Sequence, residues 1–232
     1  MKPSVLLFAA SEHQGDRLRQ EDYFSNYRDE CFVIADGVGG IPHGDTASRL
    51  AGDTAIWGYR HVRQRRFYWQ DKKLFVNRIF RSANLALWQK QRETGFGDGC
   101  ASTLTVCMIG ARTYWVGSIG DSPAFLYHNN ELTKLTSDDL DHDGYLTEAL
   151  GTKRYGLVPH FMTGEFLFGE TIVLTTDGIS GYVSLQEIMT IAESITDTQE
   201  DIISGVKMLI RKARENGSGD NMSACIIRRV KP

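Results

Sequence analysis

Four short apolar runs in this chain end at, or open from, an aspartate beside glycine. Phe32-Val33-Ile34-Ala35 ends in Asp36-Gly37, Ile172-Val173-Leu174-Thr175-Thr176 ends in Asp177-Gly178, and Trp115-Val116-Gly117-Ser118-Ile119-Gly120 ends in Asp121, while Ser218-Gly219-Asp220-Asn221 opens a final run. Runs this short, rich in β-branched residues, read as buried strands. A carboxylate on the last pleat of such a strand is partly desolvated, and several together raise one another's pKa unless a cation offsets the repulsion. Hard divalent ions fit an oxygen-only set, since Mg²⁺ and Mn²⁺ take carboxylates, carbonyls and water, whereas the His and Cys residues lack zinc-like spacing. Glycine beside the Asp lets a backbone carbonyl approach an ion and tolerates positive φ. One Asp-Gly alone reads as a turn; four at strand ends argue against chance.

The same patterning marks strands at Val5 to Ala10, Cys31 to Ala35, Ser102 to Ile109, Tyr114 to Ile119, Ala124 to Tyr127, Thr171 to Thr175 and Met222 to Arg228. Turn signals at Gly110-Ala111-Arg112 and His128-Asn129-Asn130 join several of them as antiparallel hairpins. Helical periodicity covers Thr46 to Val62 behind Asp45 as N-cap, a segment from Asp71 with Phe75, Ile79, Ala83, Ala86 and Leu87 on one face, Leu185 to Ser194 behind a Ser184/Glu187 capping box, and Thr198 to Asn216 stopped by Gly217. With two helices between early strands and two before the last strand, the order predicts an α+β fold. It is a four-layer α-β-β-α sandwich of two mainly antiparallel sheets flanked by helices, a single domain over residues 1–232.

Composition narrows the classes. Hydrophobic residues at 41% and charged residues at 24% are globular values. A net charge of −3 gives no field for nucleic acid or anionic lipid, so phosphate chemistry must rest on local charges. The basic, aromatic run Arg60 to Trp69 falls at a helix end and reads as a solvated face. The apolar start before Glu12 is too short for a signal peptide and no run approaches a membrane span, so the expected location is cytoplasmic. Cys31, Cys100, Cys107 and Cys225 are scattered and read as buried thiols.

A second acidic cluster, Gly15-Asp16-Arg17-Leu18-Arg19-Gln20-Glu21-Asp22, precedes Tyr23-Phe24. Alone it reads as a solvated polar turn; beside the Asp-Gly ends it adds two oxygen ligands and a guanidinium whose planar fork suits a phosphate dianion. In order along the chain, Gly15-x-Arg17 with Glu21-Asp22, Val33-Ile34-Ala35-Asp36-Gly37-Val38-Gly39-Gly40, Ser118-Ile119-Gly120-Asp121-Ser122-x-Ala124, and Thr176-Asp177-Gly178 with Gly219-Asp220-Asn221-Met222-Ser223 resemble the motifs of the PPM family, the metal-dependent or type 2C protein serine/threonine phosphatases. Weaker agreement at Gly44-x-x-Ala47-Ser48, Ser102-Thr103-Leu104, Leu132-x-x-Leu135-Thr136 and Ala149-Leu150-Gly151 extends the resemblance over nearly the whole chain.

The resemblance implies two Mn²⁺ or Mg²⁺ ions bridged by Asp36, with Asp177 and Asp220 on one, and Glu21 and the Gly37 carbonyl on the other. It further implies that Asp22 orients metal-bound water, Arg17 binds substrate phosphate, and Asp121 with Asp177 forms a third, weaker site. Paired metals activate water and clamp an in-line displacement with no protein nucleophile. The implied partner is a phosphorylated protein, with a cognate Ser/Thr kinase in a bacterial cell, acted on by a monomer. A catalytically silent binding module is the rival; the presence of Asp36, Asp177 and Asp220 favours the enzyme. A metal-dependent esterase for small phosphate esters shares the same site.

Two departures stand out. Val38 occupies the place of a His that animal members use as a proposed general acid, which leaves leaving-group protonation unassigned, with His43 as the one nearby substitute. The stretch Ser137 to Glu148 is shorter than the family's mobile flap, so a truncated flap and an open cleft are expected. Its acids Asp138, Asp139, Asp141 and Asp143 read either as an exposed loop or as an extra metal site.

Overall fold

The computed structural model describes residues 5–64, 71–97 and 99–231. Among the described residues, ten strands form two five-stranded sheets in which every pairing is antiparallel. The first sheet runs β1 (Val5–His13), β10 (Met222–Val230), β9 (Thr171–Thr175), β6 (Ala124–His128), β7 (Glu131–Lys134); the second runs β2 (Asp22–Tyr27), β3 (Cys31–Asp36), β4 (Leu104–Ile109), β5 (Thr113–Ile119), β8 (His160–Glu165).

The continuous apolar runs are explained by cover on both faces. Along β3, Cys31, Val33 and Ala35 pack against helices α1 (Gly44–Val62) and α2 (Lys72–Lys90), while Phe32 and Ile34 face the opposite sheet. Along β10, Met222, Ala224 and Ile226 pack against α3 (Asp177–Ser180), α4 (Leu185–Ser194) and α5 (Gln199–Glu215), while Cys225 and Ile227 turn inward. Period-two burial of both faces produces the expected α-β-β-α layering. All four cysteines are buried and free. No helix of the described residues is long and apolar enough to cross a membrane.

Local signals behave as their chemistry requires. Asp71 caps α2 by accepting from the Leu74 N–H at 2.9 Å, and Ser184 with Glu187 forms the full capping box of α4. Gly217, at φ 96°, ends the last helix. One cap differs: α1 starts at Gly44 behind His43, at φ 68°, and Asp45 sits inside the first turn, where its carboxylate accepts from the Thr46 N–H at 2.8 Å.

Four elements escaped the hydrophobic pattern, each for a physical reason. β2 reads Asp-Tyr-Phe-Ser-Asn-Tyr and β8 reads His-Phe-Met-Thr-Gly-Glu; both are sheet edges in which polar residues interrupt the apolar alternation. β7 and α3 are four residues each, below the length at which periodicity is visible. Of the basic run, positions 65–69 lie outside the described residues; Arg60 and Arg63 lay their guanidinium groups 5.3 and 4.7 Å from the Tyr27 ring, with Arg63 also paired to Glu30.

Candidate active site

The strand ends carrying aspartates meet at one end of the sandwich. Asp22 opens β2 and Asp36 closes β3, and the register makes them direct cross-strand partners. Like charges in that position repel, so the pair is retained against its own electrostatics. Asp36 is fixed by Thr103, whose N–H donates to the Asp36 carbonyl at 2.8 Å and whose Oγ1 accepts from the Asp36 N–H at 3.0 Å. The other sheet brings Asp177 at the start of α3 and Asp220 just before β10. Asp36, Asp177 and Asp220, with Arg17, Glu21, Gly37, Val38, Asp121 and Asn221, line a cavity of about 370 Å³; Asp22, paired with Asp36 across the strands, lines the neighbouring cavity beside α1 and α2.

Two glycines make the convergence possible. A Cβ on Gly37 would lie 2.4 Å from the Gly44 carbonyl group, and one on Gly178 would lie 1.9 Å from the Asn221 carbonyl oxygen. Neither has a positive φ. Of the two uses expected of glycine beside these aspartates, carbonyl approach to an ion and tolerance of positive φ, the second is corrected at both places: the missing Cβ instead allows contact of backbone on backbone, first between the β3 end and the α1 start, then between the α3 start and the β10 start. Gly120, before Asp121, does adopt φ 97°.

Asp22 is not the solvated acid its polar surroundings suggest. It is 5% exposed; its Oδ2 accepts from Thr176 Oγ1 at 2.7 Å, and its Oδ1 is buried without a partner among the described residues. Burial above all, with Asp177 and Asp220 adding repulsion, pushes its pKa up to about 7. Asp36 is driven well above the usual carboxylate range by burial and then by Asp22 and Asp177. Burial also raises Asp177, Glu21 and Asp121, the last to about 6 with Asp177 as its main charged neighbour.

Arg17 stands at the cleft but grips Asp220, Nη2 to Oδ2 at 2.6 Å. The residue expected to meet a phosphate and one expected to hold a metal thus neutralise each other. His43 donates from Nε2 to the Gly95 carbonyl, 2.9 Å away, and packs against Phe96 with ring centroids 4.3 Å apart. It is absent from the cleft lining, so the substitute-acid role considered for it has no support in its placement.

Asn221 belongs to the Gly219-Asp220-Asn221 motif but has no expected role beyond it. Its Oδ1 accepts from the Glu21 N–H at 2.8 Å, and its Nδ2 donates to the carbonyls of Gln14 and Arg19 at 2.7 and 2.9 Å. One amide therefore ties the Arg17–Glu21 loop of one sheet edge to the Asp220 strand end. Thr176 does the same for Asp22. Only distance in sequence hid them: these bonds join residues about 150 to 200 positions apart.

The acidic segment is a small hairpin closed by a Leu140–Leu146 bridge, with Asp141 accepting from the Asp143 and Tyr145 N–H groups and Asp139 from Gly120 N–H and His160. Its tip, Gly144 to Leu146, borders the cleft. A larger cavity of about 720 Å³ lies beside α1 and α2, but its charges are mixed and several are already matched, Asp53 by the Tyr23 hydroxyl and Lys90 by Glu93.

The cleft's donor set fits hard divalent cations: it is all oxygen, mutually repulsive and partly desolvated, and the orphaned Asp22 Oδ1 belongs to the cross-strand partner of Asp36, one of its ligand candidates. The carboxylates stand further apart than a closed ligand shell. Among the described residues, the one trio of candidate ligands with all its atoms within 4.8 Å of one another is exposed Asp141, His142 and Asp143. In the cleft, Arg17 draws Asp220 and Thr176 holds Asp22.

Residues 10–218 match the family model described as Protein phosphatase 2C. The chain is 26% identical, over 96% of its length, to the serine/threonine protein phosphatase PstP of Mycobacterium tuberculosis, of which it spans 45%. It is 23% identical to the serine/threonine phosphatase stp of Listeria welshimeri, with 85% of this chain and 83% of that one covered. The crystal structure of the PstP catalytic domain in complex with 2 manganese ions superposes with a TM-score of 0.81 at 24% identity, covering 98% of this chain and 100% of that one. With the family model spanning most of its length and the same fold beneath it, the chain belongs to the protein phosphatase 2C family.

Proposed function

We propose that this protein is a metal-dependent phosphatase that hydrolyses phosphoserine and phosphothreonine on proteins, as a cytoplasmic monomer opposing a Ser/Thr kinase in a bacterial cell. The observation that carries the reading is the convergence of desolvated, mutually repelling carboxylates, Asp36, Asp121 and Asp177, from both sheets on one cleft. The names of the mycobacterial and Listeria relatives support the substrate class, and the manganese complex of the former supports the cofactor.

In this reading Asp36 would bridge two Mn²⁺ or Mg²⁺ ions, Asp177 and Asp220 would hold one, Glu21 and the Gly37 carbonyl the other, and Asp121 with Asp177 a third, weaker one. Bound there, the ions supply positive charge and Lewis acidity for in-line attack of water on phosphorus. The chain's own residues position the reactants. Arg17 exchanges its Asp220 partner for phosphoryl oxygens, which its fork-shaped guanidinium suits. Asp22, held by Thr176 through Oδ2 and paired across the strands with Asp36, orients the attacking water with its unpartnered Oδ1. Val38 gives the leaving group no proton, and the open cleft leaves that step to solvent.

The test is phosphate release from p-nitrophenyl phosphate and from a phosphothreonine peptide, with EDTA, Mg²⁺ or Mn²⁺, for wild type and Asp36→Asn. Metal-dependent release that collapses at least a hundredfold in Asp36→Asn is expected, on the scale of losing a main transition-state contact. Preference for p-nitrophenyl phosphate over the peptide would redirect the reading to a small-ester hydrolase, and no release with any metal would leave a phosphoprotein-binding module.

A further inference from the structure

Gly120 and Asp121 form the turn that leaves β5, and both polar backbone groups of Gly120 are taken by one residue of the acidic hairpin. Asp139 donates its N–H to the Gly120 carbonyl at 3.2 Å and accepts the Gly120 N–H on Oδ2 at 2.8 Å. That carbonyl belongs to the peptide leading into Asp121, so the clamp fixes the backbone from which the Asp121 side chain reaches the cleft. Gly120 stands in the left-handed region at φ 97°, and a Cβ there would lie 2.6 Å from Thr103 Cγ2. The turn is thus held by Asp139 and packed on Thr103, the residue that fixes Asp36.

Asp139 differs from the acids around it. Its side chain is 13% exposed, whereas Asp138, Asp141 and Asp143 are exposed residues. Its second oxygen, Oδ1, lies 2.7 Å from His160 Nε2, and a carboxylate can only accept, so the ring N–H donates. His160 comes from β8, where it is the register partner of Ser118 on β5. The Asp139 carbonyl accepts the Thr147 N–H at 2.7 Å at the base of the hairpin. The hairpin also closes through its own Leu140–Leu146 bridge and the Asp141 turn, so the two carboxylate bonds of Asp139 serve its placement against the Gly120–Asp121 turn.

We propose that Asp139, oriented by His160, is a positioning residue that sets the Asp121 carboxylate, and with it the affinity of the ion that Asp121 shares with Asp177; the inference rests on the phosphatase reading above. A ligating carboxylate depends on the groups that orient it, and a site with few protein ligands has little else to fix its geometry. Asp36 is held by Thr103 and Asp177 by the start of α3, neither of which touches this clamp, so the effect falls on the weakest ion and spares the other two.

The test is calorimetric titration of Mn²⁺ into metal-free protein, with amide hydrogen exchange in EDTA, for wild type, Asp139→Ala, His160→Ala and His160→Gln. In Asp139→Ala the weakest Mn²⁺ equilibrium is expected to weaken roughly 10- to 100-fold with the tighter two unchanged, and the Gly120 amide to exchange about tenfold faster with the β5 amides unaltered. His160→Ala should give the same pattern, and His160→Gln, whose amide N–H replaces the ring donor, should reverse it. Should Asp139→Ala fail to fold, the two His160 variants carry the comparison. An unchanged weakest site, equal weakening of every Mn²⁺ equilibrium, or no rescue by His160→Gln overturns the inference and leaves the phosphatase reading standing. Binding of only two Mn²⁺ ions by wild type overturns it as well. Wild type that neither binds Mn²⁺ nor releases phosphate removes the phosphatase reading itself, and the inference with it.

Discussion

Asp22→Asn removes a buried charge while keeping the shape and the oxygen that Thr176 bonds. With Asp22 raised from its ordinary 3.8 to about 7, its ionisation is suppressed in the folded protein and not in the unfolded chain. The sign follows from linkage: a raised folded pKa means stability is fully present below pH 3.8 and is lost as pH climbs through 7. At pH 8 the accumulated cost is about 4 kcal/mol, from roughly 1.4 kcal/mol per pKa unit over the interval. At pH 5, where the folded group is protonated, the cost is on the order of 1–2 kcal/mol by the same slope. In EDTA, Asp22→Asn should therefore stabilise the protein by about 4 kcal/mol at pH 8 and by less than half that at pH 5. Urea unfolding at both pH values, compared at equal m, reads this directly. A variant that is less stable than wild type at pH 8, or a gain that does not shrink at pH 5, refutes the claim that burial makes ionisation of this carboxylate costly. The expected loss of activity in the same variant would place the frustration where function needs it.

Two further outcomes test how the site is held together. Gly37→Ala drives a methyl group into the Gly44 backbone and should cost about 1–3 kcal/mol, with loss of phosphate release as the β3 end and α1 start separate; thermal unfolding and activity measure the two effects. Asn221→Ala strands the Glu21 N–H and the carbonyls of Gln14 and Arg19, which should cost about 1–3 kcal/mol and speed hydrogen exchange at the Glu21 amide; unchanged protection there would show that the loop is held by something else.

Much was legible in the sequence because it depends on near neighbours. Apolar runs of β3, β9 and β10 announced buried strands, Asp71 and Ser184 announced helix starts, and the placing of Asp36, Asp121, Asp177 and Asp220 beside those runs announced where carboxylates would gather. Capping, period-two burial and turn chemistry are local, so a linear reading reaches them. The edge strands β2 and β8 were silent, since an edge needs only half an apolar face and hides the rest among polar residues. Tertiary structure alone decided that Asp22 is buried opposite Asp36, that Arg17 spends its charge on Asp220, that His43 turns to Gly95, and that Asn221 ties both halves of the cleft. The physical reason is common to all four. A pKa, an ion pair or an orphaned oxygen is a property of what lies within a few ångströms, and those neighbours come from chain segments whose meeting only the packing of two sheets sets.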